Sequence, residues 1–133
     1  MVSAAPTPCQ IALVFKYFAR FALLGVWFLL SCVVAVTWLP FRWKDPNLGV
    51  AYARFLYWGV RRILNIDVRL ENGQAVLQTQ PCIYVCNHQS NMDVFTICSL
   101  FPKRTVLIAK KEIRRIPFFG LFFEGVGNIV IDR

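Results

Sequence analysis

The sequence predicts an α/β protein with a mostly parallel sheet, preceded by one membrane helix. An apolar run without charges fills Phe21–Leu39, and short runs rich in Ile and Val alternate with helical patterns over the rest of the chain. Strands that alternate with helices favour a layered α/β fold. At 133 residues the chain has room for one modest domain. We therefore expect a membrane anchor in residues 1–45 and an α/β domain in residues 46–133.

The apolar run Phe21–Leu39 contains 19 residues. As a helix with a rise of about 1.5 Å per residue it would measure about 28 Å, close to the thickness of a bilayer core. Its end carries residues typical of a membrane interface, namely Trp38, Phe41, Arg42, Trp43 and Lys44. The run is longer than the core of a cleaved signal peptide, so it predicts a retained transmembrane or deeply inserted helix. The cationic surplus after it favours a body on the cytoplasmic side.

The segment Leu48–Ile66 has the periodicity of an amphipathic helix. The apolar face would carry Tyr52, Phe55, Leu56 and Ile63. The opposite face would carry Arg54, Trp58, Arg61, Arg62 and Asn65. Two interpretations stay open, because both produce this pattern: a basic helix on the membrane surface, or a helix packed on the domain with a solvated basic face.

Strand and helix patterns alternate from residue 66 onward. The predicted strands are Ile66–Leu70, Cys82–Cys86, Thr105–Ala109 and Gly127–Ile131, with a turn at Asn72-Gly73 after the first. The predicted helices are Met92–Leu100 and Lys110–Phe119, the second interrupted by Pro117. This order predicts the parallel sheet.

The chain is basic, with 15 Lys and Arg against 7 Asp and Glu. Such a surplus suits anionic lipid, phosphorylated substrates or nucleic acid. We expect no nucleic-acid partner, because the basic residues lie beside an anchor and lack a helix-turn-helix, zinc or aromatic-sheet signature. The cysteines form no paired framework, and we expect reduced, packed thiols at Cys9, Cys32, Cys82, Cys86 and Cys98. Four ligands at metal-site spacing are not present, so no metal is expected.

The only histidine, His88, follows the predicted strand Cys82–Cys86, and four residues separate it from Asp93. A loop at the carboxyl end of a strand is where open α/β sheets place their ligands. A histidine accepts a proton near neutral pH, and a carboxylate can fix its tautomer and steady the imidazolium. Ser90-Asn91-Met92-Asp93 is also a capping-box pattern, so Asp93 has a purely structural alternative. The pair is a candidate general base with its orienting carboxylate.

Three blocks of the sequence resemble the 1-acyl-sn-glycerol-3-phosphate acyltransferases, the glycerolipid enzymes that esterify lysophosphatidic acid. The blocks are Asn87-His88-x-x-x-x-Asp93, with Ser90 inside it; Lys110–Gly120 (KKEIRRIPFFG); and Gly127–Arg133 (GNIVIDR). The similarity runs from the apolar anchor to the last residue. It implies that residues 46–133 are the N-terminal part of an acyltransferase domain.

The resemblance assigns roles to these residues. His88 would deprotonate the free hydroxyl of the lysophospholipid, Asp93 would orient His88, and the alkoxide would attack the thioester of acyl-CoA or acyl-carrier protein. The product would be phosphatidic acid, formed without a covalent acyl-enzyme and without a cofactor. Arg133 matches the arginine that holds the acceptor phosphate, a task suited to a bidentate guanidinium; without the resemblance it would be a solvated charge. Gly127, Asn128 and Lys110 would belong to the same substrate-binding region.

Two further features of the sequence each have more than one interpretation. A basic cluster either attracts anionic lipid or coenzyme A phosphates or is a solvated face; it comprises Lys103, Arg104, Lys110, Lys111, Arg114 and Arg115. The apolar run Pro117–Phe123 either lines an acyl tunnel, dips into the bilayer or is plain core.

The sequence also departs from the family pattern. A Phe-Pro-Glu-Gly-Thr-Arg block and a later proline-containing block have no counterpart up to Arg133. We therefore expect the front half of an acyltransferase, with little or no activity in this chain alone. The alternative outside the enzymes is a noncatalytic membrane adaptor that binds anionic lipid or a partner through its basic amphipathic segment.

Overall fold

The computed structural model describes residues 7–71, 73, 78, 81–87 and 89–132. Its α-helices include α1 (Pro8–Trp38), α2 (Pro46–Leu64), α3 (Asn91–Ile97) and α4 (Phe119–Gly125). Short 3₁₀ turns follow at Leu39–Phe41, Cys98–Leu100 and Lys111–Arg115. The strands in the described part are β1 (Ile108–Lys110) and β2 (Ile129–Ile131).

Helix α1 begins earlier than the predicted start at Phe21. A capping box fixes its first turn: the Gln10 N–H donates to Thr7 Oγ1, and the Thr7 N–H donates to Gln10 Oε1. Pro8 occupies the first turn, where its missing N–H costs nothing. The uncharged run is therefore only the second part of a 31-residue helix.

Helices α1 and α2 pack as an antiparallel pair. The Trp27 indole N–H donates to the Leu56 carbonyl at 3.2 Å, while the Tyr52 hydroxyl lies 3.3 Å from Ser31 Oγ and 3.2 Å from Cys32 Sγ. Later positions on α1 thus meet earlier positions on α2. The turn between the helices ends at Asp45, whose side chain accepts the Asn47 N–H and caps α2.

The core lies between α1, α2 and α4. The ring of Tyr52 lies 4.7 Å from Phe122, and that of Phe28 lies 5.4 Å from Phe119, centroid to centroid. The buried cluster consists of Leu24, Cys32, Ala35, Leu39, Tyr52, Leu56, Val60, Phe122 and Val126. The apolar run Pro117–Phe123 therefore contributes core through α4, whereas Phe118 and Leu121 remain exposed.

One stripe of α1 is buried in this core, and the opposite face is exposed and apolar. Pro8–Phe41 is long and apolar enough to cross a membrane, a criterion of length and composition that core helices and signal sequences also meet. On α2, Tyr52 and Leu56 are buried as predicted, while Phe55 is half-exposed. The apolar face of α2 thus packs on the domain, which agrees with the second of the two interpretations, a helix packed on the domain with a solvated basic face.

Strands β1 and β2 are parallel, with Ile108 opposite Ile129 and Lys110 opposite Ile131. Helix α4 lies between them in sequence, which makes a β-α-β unit. The predicted parallel pairing is confirmed, although both strands are shorter than predicted and β1 ends one residue later.

Three expectations about local structure were wrong. The segments 66–70 and 82–86 form no strand in the described part of the chain; Ile83 and Val85 are about 90% exposed, so no layer covers them as a central strand requires. Cys82 and Cys86, which were expected to be packed, are exposed for the same reason, and Cys9 is exposed on the first turn of α1.

The predicted helix Lys110–Phe119 is also wrong. Lys110 ends β1, and a 3₁₀ turn covers Lys111–Arg115. Ile116 is extended because it precedes Pro117, which disfavours helical backbone at the residue before it. Helix α4 starts only at Phe119, after Phe118 with φ of 61°.

Candidate functional site

The predicted catalytic and phosphate-binding residues His88 and Arg133 lie outside the described residues. The structure does describe their sequence neighbours, Asn87 and Gln89 on one side and Asp132 on the other. These neighbours belong to two places: the start of α3, and the carboxyl ends of β1 and β2.

At the start of α3, Asp93 closes the helix onto the loop of the Asn-His-x-x-x-x-Asp motif. Its Oδ2 accepts the backbone N–H of Gln89 at 2.8 Å and that of Ser90 at 2.7 Å. Ser90 Oγ in turn accepts the Met92 N–H at 3.2 Å, which completes a capping box. The capping role predicted for Asp93 is therefore confirmed, and its role toward His88 stays a prediction. These bonds hold the carboxylate against the backbone directly after His88.

Helix α3 is attached to the domain by its other end. Cys98 is buried, and burial raises the pKa of its thiol to about 12. The Arg54 guanidinium donates to the Phe101 carbonyl at 3.2 Å and ties the segment after α3 to α2. Because the Cys98 thiol stays protonated near neutral pH, it is unsuited to act as a nucleophile.

The second place is the common edge at which β1 and β2 end. Lys111 Nζ lies 2.6 Å from Asp132 Oδ1, so an ion pair joins the residues that follow the two strands. Arg114 Nε donates to Glu124 at 2.9 Å and links the 3₁₀ turn to α4. Two members of the basic cluster are thus neutralised by carboxylates. Within the described residues, no carboxylate pairs with Lys103, Lys110 or Arg115.

Gly127 and Asn128, predicted in the substrate-binding region, stabilise the backbone conformation around β2. Gly127 has φ of 91°, a value that side-chain-bearing residues rarely adopt, and it turns the chain from α4 into β2. Asn128 Oδ1 accepts the Leu107 N–H at 2.8 Å, and the Ile129 N–H donates to the Leu107 carbonyl at 2.9 Å. Both residues fix the register of the parallel strands.

The sequence pattern did not predict the role of Gly120, the last residue of the KKEIRRIPFFG block. A Cβ at this position would lie 2.7 Å from Arg114 Cα and 2.9 Å from the Ile113 carbonyl oxygen. Only glycine lets α4 approach the 3₁₀ turn this closely. The signal in the sequence was the glycine itself, directly after an apolar run.

These features define an α/β protein with one helix long and apolar enough to cross a membrane. They include a parallel β-α-β unit and a capped helix after the histidine motif, which is a candidate general-base site. Residues 67–133 match the family described as Acyltransferase. The chain belongs to the acyltransferase family.

Relatives named 1-acyl-sn-glycerol-3-phosphate acyltransferase are similar over most of the chain. That of Haemophilus influenzae is 35% identical over 106 residues, 79% of this chain and 43% of the relative. That of Cocos nucifera is 36% identical over 109 residues, which are 81% of this chain and 33% of the relative. The alpha form of Mus musculus is 30% identical over 118 residues, which are 89% of this chain and 41% of the relative. The chain thus spans less than half the length of these relatives. No solved structure matches it significantly.

Proposed function

We propose that the protein to which this chain belongs transfers an acyl group to the free hydroxyl of 1-acyl-glycerol-3-phosphate and makes phosphatidic acid for phospholipid synthesis. The acyl donor is acyl-CoA or acyl-carrier protein. One observation carries the proposal: the Asp93 carboxylate is fixed by two backbone N–H groups against the loop that contains His88. The names of its relatives support the substrate class.

In the proposed mechanism, His88 is the general base. It takes the proton of the acceptor hydroxyl while the oxygen attacks the thioester carbonyl, and the resulting imidazolium returns the proton to the leaving thiolate. Asp93 orients the ring and stabilises its charged form. General-base catalysis of this kind contributes roughly 10²- to 10⁴-fold to the rate. No acyl group is attached to the protein.

The acceptor phosphate is assigned to the edge at which β1 and β2 end. Arg133 follows Asp132 in the sequence, and Lys110 stands opposite Ile131 without a carboxylate partner in the described part of the chain. The Lys111–Asp132 ion pair holds the two chain segments together. A planar guanidinium together with an ammonium suits a phosphate monoester.

The acyl acceptor and the product are membrane lipids, and α1 supplies the proposed attachment to the bilayer. Its exposed face is apolar over several turns, and aromatic side chains at its end, including Trp38 and Phe41, are also exposed. We place the catalytic part on the cytoplasmic side because of the cationic residues after the anchor.

The test compares variants of the longest polypeptide that the gene encodes, with labelled acyl thioester and lysophosphatidate in vesicles. His88→Ala should lose about 10²-fold or more of its turnover, the contribution of a general base. Asp93→Asn keeps a cap acceptor, so it should lower turnover with little loss of stability. Ser90→Ala is the matched control: it removes cap stability of about 1 kcal/mol but no catalytic group.

The pattern of results separates the two roles of Asp93. If Asp93→Asn and Ser90→Ala behave alike, Asp93 is only a cap. If His88→Ala keeps near-normal turnover, the mechanism is wrong. A protein that binds anionic vesicles but transfers no acyl group would instead be the membrane adaptor, for which the exposed cation Arg62 on α2 is suited.

A further inference from the structure

A groove of about 350 Å³ lies between α1 and α2. Its walls are apolar and are contributed by both helices: Val34, Ala35, Trp38, Leu48, Ala51 and Phe55. The volume lies at the lower end of the range for small-molecule sites. Among the described residues of the Asn-His-x-x-x-x-Asp motif, none belongs to its lining.

The polar atoms at the floor of the groove are already satisfied. The Ser31 hydroxyl donates to the Phe28 carbonyl at 2.7 Å, and the Tyr52 hydroxyl lies within hydrogen-bond distance of Ser31 and Cys32. The floor therefore requires neither water nor a polar ligand. Val34, Trp38 and Phe55 are about half exposed along the opening, so an apolar chain would bury surface that is now exposed.

A cation stands at one end of the groove. Arg42 lines it, and its Nη1 lies 3.0 Å from Asp45 Oδ2, while its side chain is 58% exposed. A guanidinium has five N–H donors, and this ion pair engages one of its three nitrogens. Asp45 offsets one positive charge, and the neighbouring exposed Lys44 adds another. The end of the groove thus keeps a positive surplus, next to the exposed aromatic residue Trp43.

We propose that this groove holds one acyl chain of an anionic phospholipid of the bilayer, with the phosphate against Arg42. The apolar walls select the chain, the charge at one end selects the headgroup, and the aromatic residues beside that end match the level of the lipid headgroups. The proposal requires residence at a membrane but not acyl transfer. It gives α1 and α2 a specific lipid ligand between them, separate from the substrate.

The test uses a phosphatidylglycerol with a diazirine in its acyl chain. The full-length protein is placed in vesicles of equal parts phosphatidylcholine and phosphatidylglycerol, irradiated and analysed by peptide mass spectrometry. Crosslinks should concentrate in residues 31–38 and 47–55. The experiment needs no turnover, so the His88→Ala protein serves equally well, and failure of the proposed catalysis leaves this test intact.

Two variants test the two halves of the site. Ala51→Phe fills the groove and should reduce these crosslinks several-fold without reducing vesicle binding. Arg42→Gln should lower the preference for phosphatidylglycerol over a matching phosphatidylcholine probe about fivefold, equivalent to about 1 kcal/mol. Lys16→Gln is the matched control, because it removes the same charge from an exposed site about 22 Å along α1 from Ser31.

Crosslinks spread evenly over the exposed face of α1, in proportion to exposure, would overturn the proposal and indicate ordinary contact with bulk lipid. An equal effect of Arg42→Gln and Lys16→Gln would also overturn it. Because Arg42 is exposed and lies outside the core, this second comparison remains decisive even if Ala51→Phe does not fold.

Discussion

Replacing Gly120 by alanine tests the closest backbone approach described above. The added Cβ would lie 2.7 Å from Arg114 Cα, 2.8 Å from the Arg114 carbonyl oxygen and 2.9 Å from that of Ile113. All three atoms belong to the main chain, so no side chain can rotate away, and α4 or the 3₁₀ turn Lys111–Arg115 must shift. Overpacking costs about 1–3 kcal/mol. The higher helix propensity of alanine offsets up to about 1 kcal/mol.

We therefore expect Gly120→Ala to lower the free energy of unfolding by about 1–2 kcal/mol, which corresponds to a fall in Tm of about 5–10 °C for a domain of this size. Thermal unfolding in detergent micelles, followed by tryptophan fluorescence, measures this change. The matched control is Gly25→Ala in α1, where nothing lies within 4 Å of the new Cβ. Its Tm should stay the same or rise. Equal Tm values for the two variants would refute the close-approach argument.

Further predictions concern other sites. Gly59→Ala would place a Cβ 2.0 Å from the Trp27 ring, so it should separate α1 from α2 and blue-shift or broaden tryptophan emission; an unchanged spectrum and Tm would contradict this packing. The backbone N–H of Asn47, with the Arg42 guanidinium, holds the pKa of Asp45 below its ordinary value. Its contribution to stability is therefore present above about pH 4 and lost as the pH falls through the lowered pKa. Asp45→Asn should flatten that acid limb of a Tm–pH profile. Cys98 should react with maleimide at least about tenfold more slowly than exposed thiols at pH 8, as peptide mapping would show.

Local pattern was sufficient for several features of the fold. The apolar run predicted a helix in α1, and Ser-x-x-Asp predicted the capped start of α3 at Ser90 and Asp93. These features depend on residues within one or two turns of each other, which is why the sequence reveals them. The roles of His88 and Arg133 remain predictions.

Predictions from the sequence were wrong where the local structure depends on residues distant in the chain. The Ile83 and Val85 pattern indicates a strand, but a strand also requires a neighbouring strand to pair with, and segment 82–86 is not in strand conformation, with Ile83 and Val85 about 90% exposed. The basic pattern of Lys110–Phe119 indicates a helix, yet pairing of Lys110 with β2 and the constraint of Pro117 divide it into a strand end, a 3₁₀ turn and α4.

Residues close together in the chain specify a long apolar helix, a β-α-β order near the end of the sequence and a capped helix after its only histidine. Packing against α2 and α4, in contrast, selects which stripe of α1 is buried, because the run Phe21–Leu39 is apolar on every side and its periodicity singles out no face. The ion pair between Lys111 and Asp132 could likewise not be predicted from the sequence, because 20 residues separate the two in the chain. Such choices depend on shape and on non-local contacts, which form only when α1, α2, α4 and the strands pack together.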